Sequence, residues 1–256
     1  MGVCFKTFYM KIEGICKICL EEKMLNYEHF PPRSAFNKNT RFFSVPADDY
    51  FEKFADYLDG IKPKAKIKQG GLGDYCLCED CNNFLGLKYV NDYVNFAKIC
   101  YSIINSTENF KSVEFKVNKE EVNLKNLLKQ ITSILICNND FWFTEEYPEL
   151  LEFVTNENYI DLPDKFRFYM YLNDEGQIKN GNWTFDNVNG GLCEFTFPPF
   201  GFVLNIENEN RIMELSEITG FKNYEFFLNK DFNIILNKYP TYSPIPLDFR
   251  NREEFL

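Results

Sequence analysis

Apolar positions along the chain change rhythm near its middle. In "PADDYFEKFADYLDG" (46–60), Phe51, Phe54 and Leu58 recur at helical spacing, and Gly60 ends the run. A second helix is predicted over "CNNFLGLKYVNDYVNFAKICYSI" (81–103), with a kink near Gly86. Between them, "IKPKAKIKQGG" (61–71) places Lys62, Lys64, Lys66 and Lys68 at every second position, which puts four ammonium groups on one side of an extended chain. Ahead of these, two short extended stretches flank "CKIC" (16–19) and end at "HFPP" (29–32), where Pro31 and Pro32 bar a helix. The pattern shifts at "KSVEFKVN" (111–118), so a boundary is placed between 1–105 and 106–256. Beyond it come helices over 123–136 and 146–155. Strands follow over 165–172, 182–188, 192–197 and 200–206, with turns at "NDEG" and "NVNGG". The tail (242–255) is Pro-rich, and neither an internal repeat nor a low-complexity segment is present. These elements predict an α+β protein whose C-terminal part is a mixed α/β domain.

The 256 residues are 45% apolar and 26% charged, ordinary for a globular chain, and the 28 Phe and 15 Tyr read as core filler. No apolar run is long enough to span a bilayer, and "MGVCFKTFYMKIEG" (1–14) is too polar for a signal peptide. A cytoplasmic protein with no membrane partner is expected. Residues 1–120 carry 17 Lys and Arg against 16 Asp and Glu, whereas 121–256 carry 11 against 22, giving the overall −10. Nucleic acid is therefore a poor partner for the second half. Its acidity suits a regulatory, protein-partner or homo-oligomer role, or a plain scaffold.

Nine cysteines cannot pair completely, and a reducing compartment disfavours disulfides. Cys100, Cys137 and Cys193 stand among apolar neighbours and read as small core residues. Cys16, Cys19, Cys78 and Cys81 instead form two Cys-x2-Cys pairs separated by 58 residues. Two such knuckles complete a tetrahedral Cys4 structural zinc site (Zn2+); reduced thiols clustered without metal are the alternative. Cys76 could replace Cys78, at a poorer spacing.

The only histidine, His29, lies in "YEHFPP" (27–32). Alone it could be an idle surface residue or a satisfied core one. The combination "C-x2-C … E-H-x-x-P … C-x2-C-N" resembles the zinc-stapled branch of the HNH endonucleases, the ββα-metal or His-Me finger nucleases, over residues 12–95. The resemblance implies an N-terminal ββα-metal module in 1–105. In it His29 would be the general base, with Glu28 and Asn82 holding a catalytic Mg2+ or Mn2+. The oxygen donors of Glu28 and Asn82 suit such a hard ion, and an imidazole near its ordinary pKa suits the base. It also implies a loop residue that orients the histidine, for which Asp74 in "GGLGDYC" is the nearest polar candidate. Arg33, Lys38, Arg41, Lys64, Lys66 and Lys68 are candidates for a phosphate track, or for a merely solvated face. The implied function is hydrolysis of nucleic-acid phosphodiesters, DNA first, in bacterial defence against phage or mobile elements. A catalytically inactive zinc-stabilised binding module and an RNA-directed or toxin-like nuclease are the alternatives. The run "FTFPPFGFVLNI … EITGFKNYEF … PIPLDFR" resembles a region that follows such modules in uncharacterised bacterial proteins, and implies no activity.

Overall fold

The computed structural model describes residues 12–38, 40–45, 52–53, 56, 61, 64–107, 109–159, 161–186, 188, 190–207, 211–227 and 231–255. Cys4, Lys62 and most of the helix expected over 46–60 lie outside them.

The fold is mixed α/β. Strands β1 (Ile12–Ile15), β2 (Glu22–His29) and β5 (Gly73–Cys78) form an antiparallel sheet in the order β1-β2-β5. A two-stranded ribbon, β3 (Arg41–Ser44) with β4 (Lys66–Gln69), is inserted between β2 and β5. Pro32 is extended as anticipated, and an irregular helical turn, Arg33–Asn37, follows it. The single helix expected over 81–103 is two helices, α1 (Glu79–Lys88) and α2 (Val90–Ser106). Their break is at Tyr89 and not at Gly86, because Tyr89 is drawn into the core and its hydroxyl donates to the Val154 carbonyl at 2.9 Å.

Strand β6 (Ser112–Val117) pairs with β12 (Phe232–Asn237), a partner 120 residues away that local pattern does not disclose. Helices α3 (Leu124–Asn138), α4 (Phe141–Glu146) and α5 (Pro148–Thr155) precede β7 (Phe166–Leu172), β8 (Lys179–Asp186), β9 (Gly190–Phe197) and β10 (Phe200–Ile206). With the short β11 (Ser216–Glu217) these strands make an antiparallel sheet in the order β11-β7-β10-β9-β8. One face of that sheet joins the main core. The other is covered by the tail residues Tyr239, Leu247 and Phe249. Lys179 and Glu194, paired at 2.9 Å, secure the tail: the ammonium donates to the Ile245 carbonyl and the carboxylate accepts from Leu247 N–H.

Helix α3 is the central pillar, buried on nearly all sides. Asn123 caps its start, accepting from Asn126 N–H at 3.1 Å. Most of its buried polar residues find backbone partners: Lys129 donates to the Phe153 and Asn156 carbonyls at the C-terminal end of α5, where the helix dipole favours a cation. One apolar cluster runs from Cys16 to Leu236 through α3, so the first sheet and the second half are packed together.

Candidate metal centre and the adjoining acid–imidazole site

The turn between β1 and β2 is a knuckle closed by Cys16 N–H to Glu21 O and Leu20 N–H to Cys16 O, with Leu20 at φ 59°. Cys78 ends β5 and is the N-cap of α1, and Cys81 lies in that helix's first turn. The sulfurs of Cys16, Cys19, Cys78 and Cys81 all lie within 4.8 Å of one another, with Cys19 and Cys78 at 3.9 Å. Tetrahedral Zn–S bonds would place sulfurs about 3.8 Å apart, so these four thiols could hold a metal ion. Burial pushes the Cys19 and Cys81 thiols up. Burial acts on Cys78 too, yet hydrogen bonds from Cys81 N–H and the neighbouring thiols bring it below its ordinary value. A helix N-terminus favours thiolate, the form a metal requires.

The knuckle also grips the second half. The Lys17 ammonium donates to the Cys137 and Asn139 carbonyls, at 2.8 and 2.7 Å, at the C-terminal end of α3. Lys17 N–H donates to Cys76 O. Cys76 is the extra residue of a bulge in the β2–β5 pairing, where Asn26 opposes Leu77 and Tyr27 opposes Tyr75. Its side chain is buried near Cys137 and outside the four-sulfur group, so Cys76 belongs to the α3 contact and not to the metal cluster. Cys100, Cys137 and Cys193 are buried core residues.

Past the bulge, Glu28 opposes Asp74 and His29 opposes Gly73. The Glu28 carboxylate is pushed up to about 7 by burial, although the nearby Asn82 side-chain amide and His29 backbone N–H pull the other way. Asn82 thus lies near Glu28. His29, half-buried, packs edge-on against Tyr27 with ring centroids 5.1 Å apart. Its Nε2 lies 3.0 Å from the Gly70 carbonyl. A carbonyl only accepts, so Nε2 carries the proton and Nδ1 the lone pair, with no partner among the described residues. Burial lowers the His29 pKa, the Arg33 charge adds to this, and the Gly70 bond opposes it. The ring is neutral at neutral pH.

The residue that positions this carbonyl is Asn37, which sequence reasoning missed. Asn37 is fully buried; its Nδ2 donates to Pro31 O at 2.7 Å and Leu72 O at 2.8 Å, and its Oδ1 accepts from Leu72 N–H at 2.7 Å. It ties the loop after His29 to the Gly70–Leu72 segment. Gly71, at φ 106°, must be glycine there, since a Cβ would lie 2.4 Å from Asn37 O and 2.8 Å from the His29 ring. Asp74, the sequence candidate for the orienting role, is exposed and accepts from Tyr75 N–H beside it, because its strand position turns it away from the loop. An Asn eight residues after the histidine was the available signal.

Arg33, Lys38, Arg41, Lys64, Lys66 and Lys68 are all exposed. Lys66 opposes Ser44 and Lys68 opposes Phe42 on one face of the ribbon. Arg41 opposes Gln69 on the other. The structure therefore brings Lys66 and Lys68 together and leaves Arg41 apart.

A small pocket adjoins Glu28 and His29, floored by Phe30, Leu77 and Leu85 and roofed by Gln130, Ser133, Ile134 and Cys137 of α3. No helix among the described residues is long and apolar enough to cross a membrane. No family model, curated protein sequence or solved structure significantly matches the chain.

Proposed function

We propose that the chain is a metal-dependent endonuclease of the HNH type, with DNA as its first substrate, working in defence against phage or mobile elements. The observation that carries this reading is the His29 ring, held through Nε2 by the Gly70 carbonyl with its Nδ1 lone pair free, next to a buried Glu28 that has Asn82 nearby. An imidazole in that state can take the proton of an attacking water. Four sulfur donors favour Zn2+ as the structural ion. A carboxylate and an amide oxygen favour Mg2+ or Mn2+ beside the histidine, and an unpartnered buried oxygen, Gln130 Oε1, on the same pocket fits such an ion. When bound, that ion would stabilise negative charge on the phosphate and on the leaving 3′ oxygen. Glu28 and Asn82 would hold it, and the Gly70 carbonyl would hold the ring that receives the proton. Lys66 and Lys68, on the ribbon that leads directly into Gly70, suit contact with the phosphate backbone.

The inactive binding module is favoured by one observation, the partial cover that α3 places over Glu28. Plasmid DNA, RNA and single strands incubated with Mg2+, Mn2+ or EDTA separate these readings. Wild type should nick DNA in an EDTA-sensitive manner. His29→Ala should lose nicking while keeping its zinc and fold. Full cleavage by His29→Ala, or none by wild type, refutes the enzyme; cleavage of RNA alone transfers the reading to an RNA nuclease.

A further inference from the structure

Helix α3 belongs to the second half of the chain, yet one of its faces looks into the Glu28 pocket. Gln130, Ser133, Ile134 and Cys137 stand at i, i+3, i+4 and i+7, the spacing of a single helical stripe, and all four line that pocket. Ile134 and Cys137 are apolar and pack against Leu77 and its surroundings. Ser133 satisfies its hydroxyl within the helix by donating to Gln130 O at 2.8 Å. Gln130 differs from them. It is only 3% exposed, and its Oε1 has no hydrogen-bond partner.

A buried amide oxygen without a partner costs about 1–3 kcal/mol. Most other buried polar side chains of α3, Lys129, Thr132 and Ser133 among them, have their donors met. An oxygen left open in this way, on the pocket that holds a carboxylate and adjoins an imidazole, is suited to a cation. Its placement is also fixed from outside. Lys17 of the metal knuckle clamps the last carbonyls of α3 at 2.8 and 2.7 Å, so α3 can neither slide nor rotate away from Glu28 without breaking those bonds.

We propose that Gln130 supplies Oε1 to the divalent ion held by Glu28 and Asn82, so that the second half of the chain completes the metal site. This rests on the ion-site reading above and extends it: the site is built from three segments, β2, α1 and α3, and the last lies outside the segment that resembles HNH nucleases. Three oxygen-bearing side chains leave the remaining positions of a six-coordinate Mg2+ or Mn2+ to water and phosphate. The cover over Glu28 is then part of the ion's coordination shell and not an obstruction to it.

The test measures Mn2+ binding to zinc-loaded full-length protein by electron paramagnetic resonance, with thermal unfolding in parallel. Gln130→Leu removes the oxygen at similar volume. Because it deletes an unpartnered amide, the Mn2+-free variant should unfold no earlier than wild type, while Mn2+ affinity falls on the order of tenfold. A residue that only packs would leave Mn2+ affinity unchanged. Gln130→Glu should bind Mn2+ more tightly than wild type and show a larger Mn2+-induced rise in Tm, since its carboxylate beside Glu28 is relieved only by the ion. Glu28→Gln should abolish the site and serves as the reference. If Glu28→Gln loses binding but both Gln130 variants match wild type, the role of Gln130 is overturned and the Glu28 site stands. If Glu28→Gln binds Mn2+ as wild type does, the ion-site reading itself falls, and Gln130 with it.

Discussion

Replacing Asn37 tests whether the loop around His29 is held by hydrogen bonds or by packing alone. Asn37→Ala deletes three bonds and leaves Leu72 N–H and Pro31 O without partners; Leu72 O keeps the Phe30 N–H at 3.1 Å. Two orphaned groups at about 1–3 kcal/mol each, reduced because Leu72 is half-exposed, give a loss of about 3 kcal/mol. For a chain of this size that is a fall in Tm of about 6–12 °C. Asn37→Asp is nearly isosteric but sets a second carboxylate oxygen against the Pro31 and Leu72 carbonyls, where Nδ2 had donated. It should cost at least as much as Ala. Thermal unfolding of zinc-loaded variants gives the stabilities, and plasmid nicking reports whether the Gly70 carbonyl still holds the imidazole. An Asn37→Asp protein that melts within about 1 °C of wild type, well under the shift one such group should produce, would refute the argument.

Purified protein should carry about one tightly bound zinc per chain. Cys19→Ser should lower both zinc content and stability more than Cys100→Ser, as metal analysis with thermal melts would reveal. Lys17→Met should leave the zinc in place yet loosen the end of α3, read as faster amide exchange around residues 137–141, because two carbonyls lose a charged donor. The pH dependence follows from Glu28, whose ion-free pKa is raised to about 7 by burial. Folded protein without the ion keeps the Glu28 proton where the unfolded chain has released it, so this group's contribution to stability falls as pH climbs towards about 7. Mn2+ must displace that proton, so its affinity should rise with pH and level off above about 7, with proton release detectable by titration calorimetry in buffers of differing ionisation heat. Affinity independent of pH below that point would contradict the burial of Glu28.

What could be read from the sequence was local or rested on rare residue types. The strands over 165–206 were legible because aromatic and β-branched runs alternate with Gly-bearing turns, and β7, β8, β9 and β10 begin and end within a few residues of expectation. Helix α3 was legible from its apolar content. The Cys4 cluster could be found because thiols at knuckle spacing have few other uses, and the only histidine drew attention to its neighbours. Pairings over long separations could not be read: β12 reaches β6 with no local signal, and Tyr89 breaks a helix only because Val154 offers a carbonyl.

The same limit explains the two residues overlooked near His29. In the sequence Asn37 is one polar residue among several in a loop. Its significance lies in three partners, two of them 35 residues away. Helical periodicity assigns a Gln between Lys129 and Ile131 to the solvent side of an amphipathic helix. That reading assumes a helix with one wet side. Helix α3 has none, since α2 and α5 flank it and β5 and the Lys17 knuckle hold its far end. In a helix buried all round, a polar side chain cannot be discounted as solvated, and each must be matched to a partner. For Lys129 the partners are carbonyls of α5 and the residue beyond it. For Gln130 the neighbouring acid is Glu28, which can share an ion with an amide oxygen but, once ionised, can donate nothing to it.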